Sequence, residues 1–257
     1  MIMSTFNPAG SVALVTGANR GIGRAFVKIL LDRGSAKIYA GARSTDSFDD
    51  LRALDPERVI PVQIDVTDAG QIAAVAAQAG DIDLLINNAG QAQFAAALID
   101  DDLAAARADM EVNYFGTLRV TRAFAGILGS NGGGGIINIA SIAGVQNFPL
   151  APTYSASKAA LHSATQAFRF ELGQQGTTVV GVYPGPVDTD MAAGLEFDKD
   201  SPEHIATSSL DALADGTEDV YPGEMSSSFE QALRQDPKQL ERDVTEMARG
   251  VLEAAAN

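Results

Sequence analysis

A short β-branched, apolar run over residues 11–16 passes without a break into Gly17-Ala18-Asn19-Arg20-Gly21-Ile22-Gly23, and a helical pattern follows over 22–32, closed by Gly34. Strand, glycine turn and helix in that order form a unit suited to cradling phosphate. Glycine lets the backbone approach a diphosphate, and the helix start supplies unpaired N–H groups and the positive end of its dipole. The spacing is Gly-x-x-x-Gly-x-Gly, whereas the common dinucleotide fingerprint is Gly-x-Gly-x-x-Gly, so a plain tight turn is the alternative. Strands are then expected at 37–41, 59–64, 83–86, 136–140 and 177–183. Between them, helices are expected at 48–54, 69–79 with Asp68 as cap, about 101–128, and 153–174. This alternation predicts one α/β domain over 1–257, with a doubly wound parallel sheet, helices on both faces and ligands at the carboxyl ends of the strands. The core is expected at about 11–191, a substrate lid at about 190–216, and a helical tail at about 224–257.

Composition narrows the function classes. With 46% hydrophobic residues a sizeable core is available, and the absence of cysteine excludes disulfides, thiol chemistry and Cys-based metal sites. A net charge of −15, from 33 acidic and 18 basic residues, argues against binding a nucleic-acid backbone. No apolar run reaches the roughly 18 residues of a membrane span, and no secretory signal is visible, so a soluble cytoplasmic protein is expected. His162 and His204 lack partners at metal-ligand spacing; no metal is expected.

Several polar groups fall at predicted strand ends. The second strand ends in Ala42-Arg43-Ser44, where dinucleotide folds meet the adenosine ribose. An acid there binds a 2′-hydroxyl and an arginine accommodates a 2′-phosphate. Arg43, joined by Arg20, therefore favours NADP(H) over NAD(H), and two surface arginines are the plainer alternative. Asp65-Val66 and Asn87-Asn88-Ala89-Gly90 end the next two strands; the latter either holds neighbouring backbone or touches cofactor. Asn113 is a poor mid-helix residue, and with Gly116 it suggests a kink and a polar task. Ser141 ends a buried strand and opens a loop over 142–152. Tyr154 and Lys158 are four apart on one predicted helix, hence on one face. A free phenol has a pKa of about 10, and a fixed ammonium beside it is expected to bring it down.

As a set, these residues resemble the short-chain dehydrogenase/reductase family in its single-domain, Rossmann-type form. The resemblance covers about residues 12–191. It rests on the glycine turn from Thr16 to Gly23, Asp65, the Asn-Asn-Ala-Gly run, Asn113, Ser141, Tyr154, Lys158 and Pro184-Gly185. It implies carbonyl–alcohol interconversion by hydride transfer. Tyr154 is the implied general acid/base, Ser141 the donor to the carbonyl oxygen, and Lys158 the group that lowers the Tyr154 pKa and binds the nicotinamide ribose. Asn113 is implied to hold a water of a proton relay. For the cofactor it implies contacts from Gly17, Asn19, Arg20, Gly21, Ile22, Gly23, Arg43, Asp65, Val66, Asn88, Ala89, Gly90, Tyr154, Lys158, Pro184, Gly185, Val187 and Thr189. Pocket positions for a small carbonyl or alcohol substrate are Gln91, Phe94, Val145, Gln146, Phe148, Met191 and Leu195, an apolar set that favours a hydrophobic one.

The tail departs from the family's usual C-terminal strand, with Asp219-Val220-Tyr221-Pro222-Gly223 followed by amphipathic helices at 226–234 and 237–248. The usual tetramer is thereby in doubt. A homodimer through the helices around Asn113 and Tyr154 stays open beside the monomer. The small residues Ala156, Ala159, Ala160, Ser163, Ala164 and Ala167 allow close helix contact, although such a stripe more often belongs to a core. A non-catalytic NADP-binding regulator of the same fold is the main alternative function. A nucleotide-sugar epimerase or dehydratase is less favoured, because the glycine spacing differs and no C-terminal substrate domain follows.

Overall fold

The computed structural model describes residues 5–98, 102–194 and 197–255. Seven parallel strands lie in the order β3-β2-β1-β4-β5-β6-β7. They are β1 (Val12–Val15), β2 (Lys37–Ala42), β3 (Val59–Gln63), β4 (Leu84–Asn87), β5 (Gly135–Ile139), β6 (Thr178–Val182) and β7 (Asp219–Val220). The order reverses between β1 and β4, which opens a crevice at their carboxyl ends. The helices are α1 (Gly21–Asp32), α2 (Phe48–Arg52), α3 (Ala69–Gln78), α4 (Ala104–Met110), α5 (Thr117–Ser130), α6 (Pro152–Gly173), α7 (Pro202–Asp215), α8 (Gly223–Gln235) and α9 (Pro237–Ala255). No helix among the described residues is long and apolar enough to cross a membrane.

Alternation along each strand divides the core into two layers. Ala13 and Val15 face Phe26 and Leu30 of α1 and Leu210 and Leu213 of α7. Leu14 and Leu85 face Phe124 and Leu128 of α5 and Phe168 of α6. Asp68 caps α3 as expected, its side chain accepting from the backbone N–H of Gly70 and Gln71.

Three expectations need correction. First, the lid expected at about 190–216 is for the most part α7, whose Ile205, Ala206, Leu210 and Leu213 are fully buried against α1 and the sheet. Its acids, Glu203, Asp211 and Asp215, lie off that buried face, and Asp211 pairs with Arg33 at 2.7 Å. Acidic residues on one face of a packed helix gave the segment a solvated look. Second, the long helix expected from about Asp101, itself outside the described residues, begins at Ala104. It is α4 and α5 joined by a π turn, Glu111–Gly116, at the position of Asn113 and Gly116. Third, a two-residue edge strand, β7, precedes the tail helices. Side chains hold it: Arg169 binds Asp219 at 2.6 Å, Tyr183 donates to Asp219 at 3.0 Å, and Tyr221 stacks on Tyr183. In addition, the small-residue stripe of α6 is mostly outside the core: Ala156, Ala159, Ser163 and Ala167 are exposed, and Ala164 is buried.

Candidate active site

The glycine turn takes the shape its residues allow. Gly17 and Gly21 have φ of +67° and +52°, which suits glycine. At Gly23 an added Cβ would stand 2.1 Å from the Gly17 carbonyl oxygen, so this residue packs the helix onto the turn and does not line the cleft. Gly23→Ala is expected to destabilise the fold by about 3 kcal/mol, read as a lowered thermal midpoint. Helix α1 starts without a side-chain cap and without an acid in its first turn, leaving its N–H groups open to an anion.

The floor between β1 and β4 is a hydrogen-bonded lattice. Thr16 Oγ1 accepts from the N–H of Asn88 and Ala89 at 3.0 Å each, and the Asn88 amide donates to the carbonyls of Thr16 at 2.9 Å and Gly17 at 3.2 Å. Asn88 therefore holds the glycine turn while also facing the cleft. On the other side, Thr189 packs on Gly21 and Asp190 pairs with Arg20, so the loop after β6 meets the turn.

The cleft above this floor has a volume of about 1030 Å³. Arg43, just after β2, lines this cleft together with Arg24 and Lys28, which follow Arg20 at four-residue steps on α1. Among the described residues no carboxylate pairs with Arg24, Lys28 or Arg43. A cationic cluster in a chain of net charge −15 is a selective arrangement. Arg24 and Lys28 were missed in the sequence, although their spacing from Arg20 was a readable signal. Asp65, Val66 and Thr67, after β3, also line the cleft; Asp65 accepts from the Thr67 hydroxyl at 2.7 Å.

At the other end the cleft reaches Ser141, Tyr154 and Lys158. Ser141 stands just past the carboxyl end of β5, its hydroxyl donating to the Pro184 carbonyl at 3.4 Å and lying near enough to the Tyr154 hydroxyl to favour its ionised form. Lys158 is 4% exposed and donates to the Ile139 carbonyl at 2.7 Å; its Nζ lies 5.7 Å from the Tyr154 ring centre. Burial pushes Lys158 down to about 8, opposed by the charge of Asp109. Burial pushes Tyr154 up to about 12, opposed by the nearby Ser141 hydroxyl and reinforced by the charge of Asp109. The expected lowering of Tyr154 by Lys158 is thus not found in the chain alone, because the ammonium is drawn to Ile139 and the ring sits in a poorly solvated wall. Asn113 is fully buried behind the cleft, its side chain exchanging hydrogen bonds with the Gln91 backbone at 2.8–2.9 Å and donating to Ser157 at 2.8 Å.

Of the expected cofactor positions, all but Gly23 face the cleft. Of the substrate positions, Gln91, Phe94, Gln146, Phe148 and Met191 face it. Val145 does not; it packs with Ala140, Leu161 and Tyr183 under the cleft. Leu195 lies outside the described residues. The further apolar lining residues that were not anticipated include Phe197, Met225, Phe229 and Met247. The last three come from α8 and α9, held over the site where Ser226 accepts the Gly185 N–H at 2.7 Å. Nothing in their local sequence marks them as pocket residues.

The residues present fit a bound nicotinamide dinucleotide. An open helix start over two positive-φ glycines suits the diphosphate, and a hydroxyl pair with a buried ammonium suits the nicotinamide end.

Comparison with known proteins gives the family. The sequence model of the short chain dehydrogenase family matches residues 11–200. An uncharacterized oxidoreductase of Staphylococcus epidermidis is 33% identical over 189 residues, covering 72% of this chain and 82% of that protein. A short chain dehydrogenase of Monascus purpureus is 33% identical over 214 residues, covering 77% and 73%. Among solved structures, a short chain dehydrogenase from Burkholderia cenocepacia, in complex with NADP, is 42% identical with a TM-score of 0.87, covering 93% of this chain and 98% of that one.

Proposed function

The chain belongs to the short chain dehydrogenase family of oxidoreductases, and we propose that it uses NADP(H) to interconvert a carbonyl and an alcohol. The observation that carries this reading is the meeting of two hydroxyls, Ser141 and Tyr154, beside a buried ammonium, Lys158, at the mouth of β5. Bound there, the nicotinamide would supply or accept the hydride. Ser141 is the donor that steadies charge growing on the carbonyl oxygen. Tyr154 delivers the proton to that oxygen, and its raised pKa keeps the phenol protonated at neutral pH, the form that reduction requires. Lys158 supplies a positive charge to the same corner. Asn113 holds the Gln91 backbone against α6 through Ser157 and so fixes one wall of the site.

NADP(H) is preferred over NAD(H) because Arg24, Lys28 and Arg43 gather where a 2′-phosphate would lie and no acid ends β2. The NADP bound by the Burkholderia protein supports the same choice. The substrate is hydrophobic. Phe94, Phe148, Met191, Phe197, Met225 and Phe229 line the same cleft as the two hydroxyls, and besides Lys158 the described lining cations, Arg20, Arg24, Lys28 and Arg43, lie in the glycine turn, on α1 and just after β2. The test is NADPH consumption, followed by absorbance, across aldehydes and ketones with apolar or carboxylate-bearing side chains. Turnover of the apolar set is expected. Tight NADPH binding with no turnover of any carbonyl would favour a regulator instead. Phe229→Ala is expected to raise KM for the best apolar substrate about tenfold, from roughly 1–2 kcal/mol of lost burial, with NADPH affinity unchanged.

A homodimer is proposed through α6, where the exposed small residues end beside Phe170, 78% exposed. Light scattering after gel filtration decides between dimer and monomer.

A further inference from the structure

Behind the catalytic pair lies a third ionisable side chain, Asp109 of α4, 0% exposed. Its Oδ1 accepts the backbone N–H of Gln93 at 3.2 Å, and its Oδ2 accepts the hydroxyl of Thr153 at 2.9 Å. Both oxygens are engaged; burial pushes the carboxyl above its ordinary range, and the Thr153 and Gln93 hydrogen bonds and the charge of Lys158 hold that rise back. Thr153 is the residue before Tyr154, and Gln93 lies two residues beyond Gln91 in the loop that leaves β4. Asn113 makes the parallel connection four residues on, from Gln91 to Ser157. Two buried polar side chains thus tie one loop to the first turns of α6, and only Asp109 brings a charge.

A carboxylate removed from water is costly unless a cation compensates it. The groups facing Asp109 from α6 are Tyr154 and Lys158. In its own helical stretch, Arg107 is exposed and Glu111 pairs with Arg119. The loop around Gln91–Gln93 offers no titratable side chain. Lys158 is the cation whose charge opposes the rise of Asp109, and Asp109 in turn opposes the fall of Lys158.

We propose that Asp109 is a positioning residue, which clamps the start of α6 to the loop after β4 and serves as the buried counter-charge that keeps Lys158 an ammonium. The clamp fixes where Tyr154 stands, and the charge fixes the state of its neighbour. The sign follows from the partners. Burial lowers Lys158 to about 8 and Asp109 opposes that fall. Without Asp109, Lys158 loses its proton at lower pH, and NADPH affinity that depends on the ammonium is lost earlier as pH rises.

The test is NADPH affinity against pH, read by nicotinamide fluorescence. It needs no turnover, so it stands even if the carbonyl reading, on which only the kinetic arm rests, proves wrong. In the wild type, affinity is expected to decline through a midpoint near 8. In Asp109→Asn the midpoint is expected to move down by about one unit, with Asp109→Glu restoring it. The basic limb of kcat/KM for carbonyl reduction is expected to move with it. Thr153→Val keeps the charge, so its midpoint stays, while kcat falls about tenfold through looser placement of Tyr154. An unshifted midpoint in a folded Asp109→Asn variant, with equal losses at every pH, overturns the proposal. Should that variant not fold by circular dichroism, Thr153→Val decides: a wild-type kcat rejects the clamp and a lowered kcat at unchanged NADPH affinity supports it. A wild type that binds NADPH but reduces no carbonyl rejects the oxidoreductase reading and leaves the affinity arm to judge Asp109.

Discussion

Tyr154→Phe is expected to lower carbonyl reduction by about 10²–10⁴-fold while NADPH affinity stays within a few-fold of the wild type. The ring keeps its place in the cleft wall, and only the hydroxyl next to Ser141 is removed. What is lost is the proton donor, so kcat carries the effect. Single-turnover mixing of the NADPH complex with substrate measures it directly. Ser141→Ala is expected to fall in the same sense, by about 10²-fold, because Ser141 aids charge build-up but does not give the proton. Wild-type turnover in Tyr154→Phe would remove the proposed chemistry outright.

Arg43→Asp is expected to weaken NADPH binding by about 10–100-fold and to leave NADH binding equal or improved. One charge-assisted contact to phosphate is worth roughly 1.5–3 kcal/mol. The new carboxylate would also stand where an acid recognises a ribose 2′-hydroxyl. Arg24 and Lys28 remain in the variant, so a residual preference for NADPH is expected, and it should fade as salt is raised. Calorimetric titration with both cofactors at two salt concentrations measures the change. Equal affinities for NADPH and NADH in the unaltered protein would show that the cluster does not read a 2′-phosphate.

The parts of the molecule that were legible in advance are those dictated by local spacing. Gly17, Gly21 and Gly23 follow a buried strand and run into the first turn of a helix, and that order allows little besides a strand–turn–helix unit. Ser141, Tyr154 and Lys158 stand thirteen and then four residues apart, and β5 and α6 bring them to one corner. The parts that were not legible depend on what lies opposite in space. Acids off the buried face of α7 made a core helix look like a lid. Two residues of β7 are too few for a periodic signal, and their hold comes from Arg169, Tyr183 and Tyr221, far away in the chain. Met225, Phe229 and Met247 reach the cleft only because Ser226 anchors α8 to Gly185. In the chain alone Tyr154 is raised by burial where its spacing from Lys158 predicts a lowering, for a related reason. A four-residue step places Lys158 on the same face but does not say that its ammonium will turn to Ile139.

The π turn at Glu111–Gly116 separates two ordinary helices by a single surplus residue of winding. An α-helix advances about 100° per residue, so a one-residue deletion that restored regular winding would swing α4 by that angle around its axis. Asp109 would be carried off Thr153 while Thr117 and the rest of α5 kept their seats. The insertion thus acts as a phase adjuster between a helix that packs the core and a helix that serves the cleft.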